Sequence, residues 1–198
     1  MISNNEITLS GTFMQEPEYS HSVKGDEFYK SAMEIKRLSD KRDILNVTLP
    51  EALCKNVSIG SHYRVKGQLR TYNRFSGNRT SLVLTVFVKE LEPCHMAVYQ
   101  NDITLNGYIC KSPIYRTTPF NRQICDILLA VNRGFNKSDY IPCIAWGSNA
   151  FFASALKVGT NIIVKGRLQS RDYDKQLEDG SIDKRTAYEV SVGTIIVK

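Results

Sequence analysis

The stretch NEITLSGTFMQEPEY, residues 5–19, returns as NDITLNGYICKSPIY at residues 101–115, at an offset of 96 with no gap. Seven of these positions are identical, among them Leu9 and Leu105, each followed two residues later by a glycine. A second block aligns at an offset of 99, where IGSHYRVKGQL at residues 59–69 faces VGTNIIVKGRL at residues 158–168. Long internal repeats are the signature of duplicated structural units. We therefore predict two copies of one module, residues 1–93 and residues 94–198.

Each copy is predicted to be mostly β-strand, with one short helix between its third and fourth strands. In copy one, the first three predicted strands are 7–14, 28–37 and 43–49, and the fifth is 81–89. In copy two, they are 103–110, 123–133 and 140–146, and the fifth is 187–197. A long fourth strand follows the helix in each copy. The predicted helices, 50–57 and 148–156, are followed by Gly60 and Gly159, which favour a left-handed cap. Five strands with a helix after the third is the order of an OB barrel. The fold class is therefore all-β, with two tandem OB-fold barrels.

Composition excludes several other classes of protein. The 198 residues carry a formal net charge of +6 and are 23% charged, which is typical of a globular domain rather than a disordered tail. No apolar run approaches the ~18 residues of a membrane span, and the N-terminus lacks a secretory signal, so a cytoplasmic location is expected. The five cysteines and three histidines show no metal-ligand or disulfide spacing, so neither a metal nor a cofactor is expected.

The predicted fourth strand carries a row of cations on one face in both copies. Successive side chains of a strand point to opposite faces, so Val65, Leu69 and Thr71 fit a core. The outward residues are Arg64, Lys66, Gln68, Arg70, Tyr72 and Arg74 in copy one, and Ile163, Lys165, Arg167, Gln169, Arg171 and Tyr173 in copy two. Cations with interleaved rings are what a polyanion with exposed bases requires. The alternative interpretation is a solvated charged face that prevents aggregation.

The third strand of copy two adds a candidate stacking platform. Tyr140 and Trp146 fall on the same predicted face, together with Pro142 and Ile144. Copy one has no ring on this strand. The alternative interpretation is that Trp146, the only tryptophan, is a core residue.

Two polar loops of copy two flank these strands. Residues 133–138 contain Arg133 and Lys137, and residues 172–185 contain Lys184 and Arg185. Such loops could fold over a nucleic-acid strand, although ordinary hairpins have the same composition. The shorter counterpart in copy one is residues 73–79.

Copy two resembles the bacterial single-stranded DNA-binding protein family. The resemblance is carried by IPCIAWG at residues 141–147, the helix that follows it, and KVGTNIIVKGRL at residues 157–168. Family members have an apolar strand ending in aromatic-Gly, then a helix, then a Val-x-Val-x-Gly-x-Leu strand. The N-terminal pattern and Asp179-Gly180 before the last strand also fit, and the resemblance extends over nearly the whole chain, twice.

The resemblance implies that Tyr140, Trp146 and Tyr173 stack bases. Ile44, Pro50 and Arg74 stand at the matching positions of copy one. Copy one is therefore expected to bind chiefly through Arg64, Lys66, Arg70, Arg74 and Tyr72. Family members usually assemble four OB modules, which implies a homodimer of this two-module chain. The chain ends at the last strand without an acidic tip, so recruitment of repair enzymes through such a tip is not expected.

The sequence predicts a non-enzymatic, largely sequence-independent binder of single-stranded DNA, acting in replication, recombination or repair. The alternative is an OB-fold replication or primosome accessory protein that works mainly through protein contacts. No nucleophile–base pair, metal-ligand spacing or phosphate-binding loop supports an enzyme.

Overall fold

The protein is described by a computed structural model over residues 4–76, 79–94, 100–176 and 180–198. Within those ranges the chain forms two units with the same order of six strands and one helix. Module one comprises β1 (Asn5–Phe13), β2 (Glu18–Val23), β3 (Asp26–Lys36), β4 (Arg42–Pro50), α1 (Glu51–Cys54), β5 (His62–Ser76) and β6 (Arg79–Pro93). Module two comprises β7 (Asn101–Ile109), β8 (Ile114–Thr117), β9 (Gln123–Arg133), β10 (Lys137–Trp146), α2 (Ser148–Ser154), β11 (Asn161–Gln176) and β12 (Ile182–Val197). The all-β class with tandem OB barrels is confirmed. The boundary between residues 93 and 94 stays a prediction, because residues 95–99 lie outside the described ranges.

Each module contains one strand that the sequence analysis does not predict. These strands are β2, which pairs with β3, and β8, which pairs with β9. Every residue of β2 and of β8 is exposed. Neither strand therefore shows the apolar alternation that identifies a half-buried strand in a sequence.

The two helices are shorter than predicted, and the glycines that follow them have a different role. Gly60 and Gly159 do adopt left-handed backbone, with φ of 80° and 89°. The helices, however, end at Cys54 and Ser154, several residues earlier. The Gly159 amide instead donates to the carbonyl of Ile109 at 2.8 Å. These glycines therefore turn the chain from the helix into the next strand, against the end of the first strand.

A continuous sheet joins the two barrels, in the strand order β6-β5-β1-β7-β11-β12. Its central pair is the first strand of each module, β1 and β7, which run antiparallel with Ile7 directly opposite Ile103. These two isoleucines are the same position of the repeat, so the modules are related by an approximate two-fold axis between them. Hydrogen bonds at both ends of this strand pair obey the same symmetry. The Ser10 amide donates to the Gln100 carbonyl, and the Asn106 amide donates to the Asn4 carbonyl, both at 2.8 Å.

The repeated asparagine that opens both copies holds a barrel strand in place. The side chain of Asn5, 1% exposed, donates to the carbonyl of Leu69 at 2.7 Å and accepts from the Leu69 amide at 2.9 Å. Asn101 makes the same two bonds to Leu168, at 2.7 and 2.8 Å. Buried polar groups need such partners. These two hydrogen bonds explain why an asparagine stands at this position in both copies.

Candidate nucleic-acid interface

The long strand β5 has the predicted alternation of buried and open side chains. Val65 and Leu69 are fully buried, and Thr71 is 8% exposed. Lys66, Tyr72 and Arg74 on the opposite face are exposed. These three side chains of β5 therefore point away from the barrel core, as the alternation in the sequence predicts.

A groove of about 880 Å³ lies against the outer face of module one. It is walled by strands of module one and by both ends of the β9–β10 turn of module two. The cationic side chains that line it are Lys30, Arg70, Arg74, Arg133 and Lys137. The aromatic side chains that line it are Tyr19, His21, Phe28, Tyr72 and Phe87. The groove therefore combines rings with cations from both modules.

The rings on its floor contact one another. His21 stacks on Phe28, with centroids 5.2 Å apart and planes inclined by 24°. Phe28 also contacts Phe87 at 5.6 Å. Such contacts hold aromatic faces in fixed orientations. Phe28 and Phe87 are half-buried, while His21 is exposed.

Five of these ten groove residues are absent from the sequence prediction: Tyr19, His21, Phe28, Lys30 and Phe87. Phe28 could have been identified by pairing the predicted second and third strands of copy one. In the structure these are β3 and β4, and Phe28 lies directly opposite Pro50. Cross-strand partners share a face. Pro50 matches Trp146 of copy two, so a ring at position 28 occupies the face on which copy two carries its tryptophan.

Module two carries its rings at other positions. Tyr140 and Tyr173 are 48% and 37% exposed, and Trp146 is half-buried. Their strand neighbours Ile141, Cys143 and Ala145 are buried. Tyr140 and Trp146 therefore lie on the outer face of β10, and the interpretation of Trp146 as a core residue is wrong.

Two residues of the predicted outer face of module two are buried. Ile144 is 3% exposed and Gln169 is 5% exposed. The Gln169 side chain donates to Glu189 on β12 at 2.9 Å, and Glu189 is itself only 8% exposed. The open face of module two is therefore narrower than strand alternation predicts.

Two of the predicted DNA-binding arginines are paired with a buried aspartate between the modules. Asp139 is fully buried and accepts from Arg70 Nη1 at 2.9 Å, while Arg133 Nη1 lies 3.5 Å from it. Asp139 also accepts from the Thr71 amide at 2.8 Å. The Tyr140 amide in turn donates to Thr71 Oγ1 at 3.0 Å. Arg70 and Thr71 thus connect β5 of module one to β10 of module two, whereas Arg133 reaches Asp139 from within module two. The Arg70 and Arg133 side chains are 24% and 31% exposed.

A matching connection occurs on the other side of the two-fold axis. Asp43, also fully buried, accepts from Arg37 Nε at 2.7 Å and from the Ser170 amide at 2.7 Å. The hydrogen bond to Asp43 raises the pKa of Arg37. Arg167 Nη1 lies 3.9 Å from Asp43. Burial, followed by repulsion from Arg37, lowers the pKa of Arg167.

Several other predicted cations are engaged by carboxylates at the surface. Lys66 contacts Glu90 at 2.8 Å, and this hydrogen bond raises its pKa; Arg64 lies 3.9 Å from Glu92. Arg185 pairs with Asp183 at 2.8 Å. Arg171 lies 3.5 Å from Glu189 and 5.6 Å from the Tyr173 ring centroid. Within the described part of the chain, no ion pair engages the exposed cations Arg74, Lys137, Lys165 and Lys184.

The tips of the two longest predicted loops, residues 77–78 and 177–179, lie outside the described residues. The turn between β9 and β10 is described, and its Phe135 is 93% exposed. Among the described residues, no three His, Cys, Asp or Glu side chains are grouped so as to ligate a metal ion. None of the described helices has the length and apolar character needed to cross a bilayer.

The strand topology defines a tandem OB-fold protein. The outer sheet face of each module carries aromatic rings and cations. A family model described as "Single-strand binding protein family" matches residues 100–197, which is the whole of module two. Module two belongs to this family.

Two curated relatives are similar to part of the chain. Single-stranded DNA-binding protein A from Bacillus subtilis is 37% identical over 83 residues, covering 38% of this chain and 48% of that protein. Single-stranded DNA-binding protein 3 from Streptococcus agalactiae is 35% identical over 83 residues, covering 38% of this chain and 60% of that protein. The chain thus matches about half to three fifths of the length of these relatives.

Similarity to two solved structures extends over both modules. The wild-type single-stranded DNA-binding protein from Thermus aquaticus has a TM-score of 0.75 and 18% identity, covering 98% of this chain and 92% of that chain. A deletion mutant of that protein has a TM-score of 0.76 and 19% identity, covering 98% and 94%. The two-module fold therefore recurs in another single chain.

Proposed function

We propose that this chain is a non-enzymatic binder of single-stranded DNA that is largely indifferent to base sequence. The curated relatives that are similar to part of this chain are named single-stranded DNA-binding proteins. The observation that carries the proposal is the outer face of module two, where Tyr140 and Tyr173 are exposed and Trp146 is half-buried. Stacking on such rings tolerates any base, because every base has a π-face.

Phosphate contacts come first from the exposed cations that no carboxylate pairs with among the described residues. Lys137, Lys165 and Lys184 can each exchange a counterion for a phosphate without breaking an ion pair. Arg70, Arg133 and Arg167 are held by the buried aspartates, so they bind through the part of the guanidinium that stays open. Arg64, Lys66 and Arg185 share their charge with carboxylates and contribute less.

The experiment uses Trp146 as the reporter, because it is the only tryptophan. Oligo-dT should quench its fluorescence strongly, and the affinity should fall steeply as salt rises. Trp146→Ala should weaken binding of a labelled oligo-dT, followed by anisotropy, by about tenfold or more. Phe151→Ala is the matched control, since its ring is 73% exposed on α2, outside the groove lining. Unchanged affinity in Trp146→Ala contradicts the platform assignment.

The alternative function, a replication or primosome accessory that acts through protein contacts, predicts a different outcome. It requires weak binding of oligo-dT with little response of Trp146. Strong quenching that saturates at one stoichiometry per chain excludes it.

We also infer a homodimer, because family members usually assemble four OB modules and this chain supplies two. Such an assembly would serve replication, recombination or repair by covering exposed strands. Sedimentation equilibrium checks the dimer directly, and a monomer at working concentration contradicts it.

A further inference from the structure

The first residues of β10 are paired along one edge by their own barrel. β9 runs antiparallel to the whole of β10, with Ala130 opposite Tyr140. Among the described residues, β12 pairs with the other edge only further along, at Cys143 and Ile144. Backbone groups at the open edge of a strand need partners from elsewhere. The segment that carries Tyr140 therefore has an edge that a neighbour outside module two can cover.

Module one supplies that neighbour. The Tyr140 amide donates to Thr71 Oγ1 on β5 at 3.0 Å. Asp139, the preceding residue, accepts from the Thr71 amide at 2.8 Å and from Arg70 Nη1 at 2.9 Å. Thr71 is 8% exposed and Asp139 is fully buried, so little water competes for these hydrogen bonds. Two consecutive residues of β10 are thus fixed to two consecutive residues of β5.

The same connection occurs on the other side of the two-fold axis, where it holds a different side chain. The Ile44 amide donates to Ser170 Oγ at 3.2 Å, and Asp43 accepts from the Ser170 amide at 2.7 Å. Ile44 and Tyr140 are the same position of the repeat, and they are 41% and 48% exposed. The connection therefore belongs to the duplicated architecture, and in module two it ends on an exposed aromatic ring.

We propose that Thr71 of module one positions the Tyr140 ring of module two for base stacking. Asp139 holds the Thr71 backbone, and the Thr71 hydroxyl fixes the Tyr140 backbone from which the ring projects. A ring on a fixed backbone loses less conformational freedom when a base stacks on it, so the affinity rises. Module one thereby strengthens the binding site of module two without touching the DNA there. This role rests on the proposed function, in which Tyr140 stacks bases.

Removal of the Thr71 hydroxyl tests this role. Thr71→Val keeps the shape of the side chain and removes the acceptor of the Tyr140 amide, and it should weaken binding of labelled oligo-dT by about fivefold. Thr71→Ser keeps a hydroxyl and should bind within about twofold of wild type. Ser170→Ala is the matched control, because it removes the corresponding acceptor from Ile44, which has no ring. It should also bind within about twofold of wild type. Urea denaturation checks that Thr71→Val and Ser170→Ala are folded and of comparable stability.

A double-mutant cycle separates positioning from direct contact with DNA. In the Tyr140→Ala background there is no ring to position, so Thr71→Val should cause no further loss of affinity. If the Thr71 hydroxyl bound DNA itself, the two losses would multiply. Multiplying losses, wild-type affinity of Thr71→Val, or an equal loss in Ser170→Ala each contradict the positioning role.

A measurement without DNA follows the ring directly. In the double variant Trp146→Phe, Tyr140→Trp, the only indole stands at position 140. Its fluorescence anisotropy decay should show faster local motion when Thr71→Val is added, and no change when Ser170→Ala is added. Unchanged motion in both refutes the positioning role and leaves the proposed function standing. Failure of the wild type to bind oligo-dT refutes the proposed function and the positioning role with it.

Discussion

Both modules carry an aromatic ring and a cation on the outer face of their long strand, β5 or β11, but the two residues stand in opposite order. On the long fourth barrel strand, module one reads Tyr72-x-Arg74 and module two reads Arg171-x-Tyr173. Residues two apart on a strand point the same way, so exchanging them keeps a ring and a cation on the outer wall. The duplicated chain has therefore kept the composition of a face rather than the identity of each position.

The connections between the modules differ far less. Asp43 and Asp139 are both fully buried, and each accepts a backbone amide of the other module as well as a guanidinium group. A buried carboxylate has few ways to be satisfied, whereas an open ring has many places to stand. The comparison shows that the interface between modules is constrained and the open face is not.

The largest expected effect comes from breaking one of these connections. Asp139→Ala leaves the Thr71 amide and two arginines without their acceptor, and should lower the free energy of unfolding by about 3 kcal/mol. Asp43→Ala should cost a similar amount, because Arg37 and Ser170 lose the same kind of partner. Urea denaturation measures both. Asp174→Ala, at an exposed site on β11, should change stability by less than about 0.5 kcal/mol. A much smaller loss in one module would show that the two connections are not equivalent.

The next largest effect is expected at the start of β10, where Tyr140 is compared with Ile44 on β4 of module one. Tyr140→Ala should weaken oligo-dT binding by about tenfold, because a stacking ring is lost. Ile44→Ala removes an aliphatic side chain of similar exposure, 41% against 48%, and should leave the affinity within about twofold. Anisotropy with a labelled oligonucleotide measures both variants. Equal losses would mean that apolar contact rather than stacking supports binding.

A smaller effect is expected when one module is given the order of the other. The double variant Tyr72→Arg, Arg74→Tyr keeps a ring and a cation on the outer face of β5, so its affinity should stay within about threefold of wild type. Tyr72→Ala with Arg74→Ala removes both and should cost about tenfold for long oligonucleotides. If the exchanged variant binds as poorly as the double alanine variant, the ring and the cation cannot exchange places on β5 without loss of affinity.

The smallest effect concerns salt dependence. Lys165→Gln should reduce the slope of log affinity against log salt by about one, because no ion pair engages this lysine in the described part of the chain. Lys66→Gln, at the matching position of module one, should change the slope less, since Glu90 lies 2.8 Å from that ammonium group. Titrations at several salt concentrations measure both slopes.

Local sequence predicted a large part of the fold. The repeat locates the two modules, and alternation on β5 correctly separates Val65 and Leu69 from Lys66 and Tyr72. The strands β2 and β8 escaped prediction because all of their residues are exposed, so no apolar period marks them. Their hairpins matter nonetheless, since Tyr19 and His21 of β2 line the groove.

The site was predicted less completely than the fold. Tyr140, Trp146 and Tyr173 are on an outer face, as expected, but nothing in the local sequence shows that Arg70 and Arg133 meet Asp139. These residues lie 69 and 6 positions from that carboxylate, and the longer contact forms only when module one packs against module two.

The sequence by itself determined the duplication, the order of five of the six strands in each module and the face on which each β5 side chain stands. These follow from repetition and from the two-residue period of a strand. Only the tertiary structure decided which cations face a buried aspartate and where rings of different strands meet. Those features depend on the register between strands that are distant in the chain, and the register is set by packing across the barrels rather than by neighbouring residues.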